Sequence, residues 1–148
     1  MSKRVLVVFH SQEKGNTRKM AELVAEGCRK VPGVEVELVP VFNQRADMGK
    51  AERADGYALG SPDYFTYMAG EMKTVFDRAL SHVKKVKGKP FVSFVSHGGG
   101  GGAIESLDRL GKAIGLKPVC EGVKSQGPPS KEGAEACLEL GRKLAAAT

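Results

Sequence analysis

Ser11-Gln12-Glu13-Lys14-Gly15-Asn16-Thr17 decides how the rest of the chain is read. Immediately upstream lies Val5-Leu6-Val7-Val8-Phe9, an apolar run of strand length. Downstream, Met20, Leu23, Val24, Gly27, Cys28 and Val31 recur with a period of about 3.6 residues, the mark of an amphipathic helix. A strand–turn–helix junction gathers unpaired backbone N–H groups and the positive end of the helix dipole at one point. Both favour an anion, and phosphate is the usual guest. Gly15 permits a tight turn, Ser11, Asn16 and Thr17 carry short hydrogen-bonding side chains, and Lys14 and Arg18 add positive charge. Taken alone, the stretch reads equally as a helix start at which Asn16 or Thr17 serves as the cap.

Working outward, strand and helix patterns alternate. Pro32-Gly33 stops the first helix. Val34 to Val39 alternates apolar and charged residues, as a half-exposed edge strand does. Pro40 to Ala54 is the least regular region, with a short helix expected around Lys50 to Arg53. Gly56 to Gly60 reads as a third strand. The loop Ser61 to Tyr67 then opens a helix bearing Met68, Met72, Val75, Phe76, Ala79, Leu80 and Val83. Phe91 to Val95 is a fourth strand, followed by Ser96, His97 and five glycines, Gly98 to Gly102. A helix with Ile104, Leu107, Leu110 and Ile114 closes at Gly115. Val119 to Val123 is expected as a fifth strand, and Ser130 as the cap of a final helix carrying Ala134, Cys137, Leu138, Gly141, Leu144 and Ala145. Five strands separated by helices specify an α/β fold with a parallel sheet covered on both faces.

The 148 residues fit a single domain, 1–148, able to bury a core without disulfides or metals. Hydrophobic residues at 41% and charged residues at 27% argue against disorder. No apolar run reaches membrane-spanning length and the N-terminus is too short for a signal peptide, so a cytoplasmic location is the expectation. Cys28, Cys120 and Cys137 are odd in number and lack CxxC spacing; they read as small buried hydrophobes, and no metal is assigned. The net charge of +6 is spread out, and its one cluster, Lys84, Lys85, Lys87 and Lys89, falls at a helix end without interleaved aromatics. That pattern excludes nucleic acid as the expected partner.

In an open parallel sheet, ligands bind beyond the carboxyl ends of the strands at the topological switch point. Three loops leave such ends: Ser11–Thr17, Ser61–Tyr67 and Ser96–Gly102. If strands one, three and four are neighbours, these loops share one crevice with a phosphate nest, aromatic side chains and bare backbone. That combination suits a ligand with a phosphate tail and a planar head.

At these loops the sequence resembles the flavodoxin-like superfamily. Ser11 with Gly15-Asn16-Thr17 is similar to its phosphate loop. Gly60-Ser61-Pro62-Asp63-Tyr64-Phe65 with Met68-Ala69-Gly70-Glu71-Met72-Lys73 resembles the second loop of the NAD(P)H:quinone oxidoreductases of that fold, and Ser96-His97-Gly98-Gly99-Gly100 resembles the third. The resemblance implies a three-layer, doubly wound five-stranded sheet in the order 2-1-3-4-5, with FMN as cofactor. Ser11, Lys14, Gly15, Asn16 and Thr17 would hold the phosphate. Ser61, Pro62, Asp63, Tyr64 and Phe65 would line one side of the ring. Ser96, His97, Gly98, Gly99 and Gly100 would meet the other. No residue is assigned a catalytic role of its own.

Several departures from the pattern bear on function. The first loop has an extra residue between Ser11 and Gly15, and the chain has no tryptophan, leaving Tyr64 as the nearest stacking group. Phe65 stands where electron carriers often place glycine, and a side chain makes positive φ costly there. A poorly stabilised one-electron-reduced flavin is the expectation. The resemblance implies a redox protein fed by NAD(P)H or a reductase that passes electrons to a small-molecule acceptor such as a quinone, or to a redox partner protein, with a homo-oligomer left open. A small electron carrier without its own enzyme activity is the alternative, and a flavin-free interaction module a third reading. Tyr64, Phe65 and Tyr67 also read as ordinary loop aromatics, and His97 as a polar cap on the sheet end.

Overall fold

Successive residues of a strand point to opposite faces, so a strand buried on both sides must be apolar throughout. β1 (Lys3–Phe9) and β3 (Gly56–Pro62) meet this condition along most or all of their length. The computed structural model describes residues 2–12, 14–42 and 47–148. Glu13 of the first loop and residues 43–46 of the irregular region lie outside the described residues.

The remaining elements are α1 (Asn16–Arg29), β2 (Val34–Pro40), α2 (Met48–Arg53), α3 (Gly70–Ala79), α4 (Val83–Val86), β4 (Pro90–His97), α5 (Ala103–Ala113), β5 (Lys117–Pro118), β6 (Val123–Gln126) and α6 (Lys131–Ala147). The sheet runs β2-β1-β3-β4-β5, with β6 also paired to β4, and every pairing is parallel. The expected order is therefore observed, with β1, β3 and β4 adjacent. β2 is the edge strand its alternation implied. Val36 and Leu38 pack inward, while Glu35 pairs with Arg4 and Glu37 with Lys50.

Two apolar layers flank the sheet. On one face Leu6, Val8, Leu59 and Phe91 pack with Met72, Phe76 and Leu107 of the helices. On the other, Val5, Val7, Phe9 and Phe94 meet α1 and α6 through Met20, Val24, Cys137 and Leu144. Asp47 caps α2, accepting from the Lys50 amide at 3.1 Å, and this bond holds its carboxyl below the ordinary range.

Two expectations need correction. The helix expected from Met68 through Val83 is interrupted: α3 stops at Ala79, and a 3₁₀ turn, Leu80–His82, leads into the single turn of α4. The fifth strand is broken. Pro118 sits opposite Phe91 and Val123 opposite Phe94, so five steps along the chain match three on β4, and Cys120–Gly122 form a bulge. Cys120 therefore lies in the bulge and is only half-buried. Burial pushes the Cys28 thiol up to about 12 and that of Cys137 to about 11, which keeps both protonated. Among the described residues no helix is long and apolar enough to cross a membrane.

α1 and α6 touch backbone to backbone. A Cβ at Gly27 would stand 1.9 Å from the Leu138 carbonyl oxygen, and one at Gly141 would stand 1.9 Å from that of Val24. Cys28 Sγ donates to the Gly141 carbonyl at 3.2 Å. Gly141→Ala must push the helices apart and should destabilise the protein by about 2 kcal/mol or more, as overpacked cores do. Urea unfolding followed by circular dichroism should show a lower midpoint with an unchanged slope. An unchanged midpoint would show that the helices do not pack this closely.

Candidate functional site

The three loops expected to converge do so at the carboxyl ends of β1, β3 and β4. In the first, Gly15 occupies the N-cap position of α1 at φ 71°, a left-handed conformation that costs glycine little. Neither Asn16 nor Thr17 is the cap. Ser11 Oγ accepts from the Arg18 amide at 3.1 Å, and the Thr17 hydroxyl lies 2.6 Å from that of Ser96. No side chain caps the Gly15 position, so N–H groups at the helix start remain available to an anion.

The second loop is fixed at both ends. Ser61, fully buried, donates to the Pro62 carbonyl at 2.7 Å and accepts from the Ala69 amide at 2.8 Å. Between these anchors Tyr64 and Tyr67 exchange backbone hydrogen bonds of 2.9 and 3.0 Å around a two-residue turn. Both turn residues have positive φ, 56° at Phe65 and 66° at Thr66, as in the mirror-image hairpin turns that favour Asn-Gly. Phe65 thus adopts the conformation its side chain was expected to oppose, and its ring is fully exposed. The two closing hydrogen bonds and the Ser61 anchor hold it there against strain of about 1–3 kcal/mol per residue.

The third loop is organised by Asp63, which reaches across from the second. Its two carboxylate oxygens each accept at 3.2 Å, one from the Gly101 amide and one from the Ala103 amide, capping α5 from outside the helix. The Asp63 amide donates to the Ser96 carbonyl at 2.9 Å. Gly127 donates to the His97 carbonyl at 2.9 Å, and the Gln126 side chain to the Gly98 carbonyl at 3.2 Å. The His97 ring lies against Gly101 at φ 73°, a position that leaves no room for a side chain.

These loops enclose a cavity of about 260 Å³. It is lined by Lys14, Gly15, Asn16 and Thr17 from the first loop, Pro62, Asp63 and Tyr64 from the second, and Ser96, His97 and Gly98 from the third. Ser11, Ser61, Phe65, Gly99 and Gly100 do not line it: Ser11 and Ser61 hold backbone amides, and Phe65 stands in solvent. Gln12 and Gly127 line it without having been expected. Gly127 could have been found as the first residue beyond the last strand, since that end also faces the switch point. Burial pushes the Tyr64 phenol up, opposed by a hydrogen bond from Gln12. Among the described residues no cluster of His, Cys, Asp or Glu could hold a metal.

One buried side-chain atom in the described chain has no hydrogen-bond partner, and it is Nδ1 of His97, a residue that lines this cavity, the atom itself being closed off from solvent. A buried polar atom without a partner is costly and calls for a ligand or water. The residues present fit FMN: helix-start amides and Lys14 for a phosphate, Tyr64 and Pro62 for a flat ring, and the Ser96–Gly98 segment for the ring edge.

Residues 3–119 match the model of the NADPH-dependent FMN reductase family. The chain belongs to that family. It is a flavodoxin-like, FMN-binding redox protein. It is 36% identical to a flavodoxin from Aquifex aeolicus, over 96% of this chain and 85% of that protein. It is 34% identical to an NAD(P)H dehydrogenase (quinone) from Methanosarcina barkeri, over 50% of this chain and 48% of that one. Among solved structures, a flavodoxin from the domain Archaea superposes with a TM-score of 0.86 at 24% identity, covering 97% of this chain and 96% of that one, a likeness of fold.

The strained turn gives a direct test. Thr66→Gly removes a Cβ from a positive-φ position and should stabilise the protein by about 0.5–1 kcal/mol, after the loss from a more flexible unfolded chain. Thermal unfolding should move to higher temperature. A lower unfolding temperature would mean that the Thr66 side chain contributes more than its backbone strain costs.

Proposed function

We propose that the chain binds FMN in the cavity between the three loops and works as an oxidoreductase, taking electrons from NAD(P)H or a reductase and delivering them to a small-molecule acceptor such as a quinone. The observation that carries this reading is the convergence of the three loops on one cavity at the carboxyl ends of β1, β3 and β4, with the uncapped start of α1 in its wall. Bound FMN supplies the one- and two-electron chemistry.

The protein's part is binding and orientation. Lys14, Gly15, Asn16 and Thr17 hold the phosphate, and Ser11 supports them by fixing the Arg18 amide. Pro62, Asp63 and Tyr64 line one side of the ring, while Ser61 and Asp63 keep that loop in place and Phe65 stands at its rim. Ser96, His97 and Gly98 form the other side, with Gly99 and Gly100 continuing the backbone wall.

A second reading, a small electron carrier with no enzyme activity of its own, is favoured by the near full-length match to a flavodoxin. Absorbance separates the two. FMN added to the purified protein should give visible flavin bands that survive desalting. Asn16→Asp, which places a negative charge in the phosphate nest, should weaken FMN binding about tenfold or more, or about 1.4 kcal/mol. Anaerobic NADPH should bleach the bands directly. Bands bleached only through one-electron steps from a chemical reductant would favour the carrier, and no retained flavin would overturn both readings.

A further inference from the structure

We propose that the cleft at the carboxyl ends of β1 and β2 is a second ligand site, distinct from the flavin cavity, for a planar aromatic ring carrying one anionic group. The inference rests on the reading that the electron acceptor is a small molecule, and supplies its chemical class. The cleft encloses about 1250 Å³, several times the volume of the flavin cavity, and shares with it only the wall formed by Gln12, Lys14 and Tyr64.

His10 floors the cleft at 4% exposure. Its Nδ1 lies 2.9 Å from the Val41 carbonyl, an acceptor only, so the proton sits on Nδ1 and Nε2 is left for another partner. Glu71 Oε2 lies 3.8 Å from Nε2, too far for a direct hydrogen bond. A ligand hydroxyl seated beside this pair, off the line between them, donates to one of the two acceptors.

The walls favour a flat ring. Phe42 stacks on the His10 imidazole with centroids 5.7 Å apart and planes 10° from parallel, and Tyr64 meets the imidazole edge-on at 6.3 Å. Phe42 is nonetheless 59% exposed, so much of this aromatic ring is available for stacking. Charge sets the direction. The Arg18 guanidinium rests 5.2 Å over the Phe9 ring, and among the described residues neither it nor Lys14 is paired with a carboxylate. Glu71 repels an anion at its own end. With Lys14 engaged by the flavin phosphate, the anionic group points to Arg18, and an oxygen substituent on the ring points to His10 and Glu71. The site lies against Tyr64, which also lines the flavin cavity, so an acceptor held here is one aromatic side chain away from the proposed flavin.

Calorimetric titration of the FMN-loaded protein tests this with two probes: anthraquinone-2-sulfonate, and neutral 2-hydroxymethylanthraquinone as its uncharged counterpart. One sulfonate per chain should bind, and bind more tightly than the neutral probe. Arg18→Gln should weaken the sulfonate about tenfold and leave the neutral probe within about twofold, while Phe42→Ala should weaken both. Phe42→Ala should not alter FMN retention, and neither change should alter the circular dichroism spectrum. The proposal is overturned if neither probe binds, if FMN competes with the probe on the flavin-free chain, if both variants bind like the parent, or if charge makes no difference. Failure of the function reading looks different: flavin is not retained, yet the chain alone still binds the sulfonate in an Arg18- and Phe42-dependent way.

Discussion

The carboxylate of Asp63 ties together the loops on which the site depends. A carboxylate near a helix start is stabilised by unpaired amides and by the dipole, and here it comes from a different loop than the helix it caps. The link is open only because β3 and β4 are adjacent and parallel, so that their carboxyl ends emerge side by side. It converts a run of glycines with little conformational preference into a defined turn before α5. The Thr17–Ser96 hydroxyl pair makes the corresponding link between the first and third loops. Each tie is between buried or half-buried polar groups that satisfy one another, which leaves His97 Nδ1 as the exception.

Such ties let the second loop keep a conformation it would not adopt alone. Two consecutive side-chain-bearing residues at positive φ run against local preference, and a turn of this type ordinarily selects glycine or asparagine. The Ser61 anchor and the bond from the Met68 amide to Ser106 Oγ hold the loop's far end to β3 and α5. Backbone strain in the turn is thus offset by hydrogen bonds outside it. The result is a fully exposed phenyl ring at the tip of a fixed hairpin beside the cavity. An aromatic ring serving only the core would not be presented this way.

What the sequence made legible follows from which interactions are local. Apolar runs and helical periodicity located β1, α1, β3 and β4, and the position of loops after strand ends located the cavity, because both depend on patterns within a few residues. The bulge at Cys120–Gly122 was hidden because Val119 to Val123 is a plausible strand by composition, and only its register against β4 shows the extra residues. The break at Leu80–His82 was hidden because the apolar stripe continues across it. The partners of Asp63 are 38 and 40 residues away, and those of His10 at Val41 and Glu71 are also distant. Side-chain roles of that kind are set by topology, so neither the Asp63 cap on α5 nor the contacts of His10 could be read from local pattern. Phe65 was misjudged differently: the cost of positive φ was recognised, but the bonds that offset it lie elsewhere in the fold.

The close approach of α1 and α6 bears on the same site from the opposite end. α1 begins at the first loop of the cavity and carries Gly27 and Cys28 near its far end, where the α6 backbone leaves no space for a side chain at Gly27. A helix is stiff over its length, so contacts at one end constrain the other. Ala21, Val24, Ala25 and Cys28 are fully buried along the shared face, leaving α1 little freedom to slide or rotate. Thr17 is thereby carried to within hydrogen-bonding distance of Ser96, and the helix-start amides are aimed at a fixed point. Two glycines remote from the cavity thus belong to its architecture: their absent side chains set the position of the helix end that the phosphate would meet.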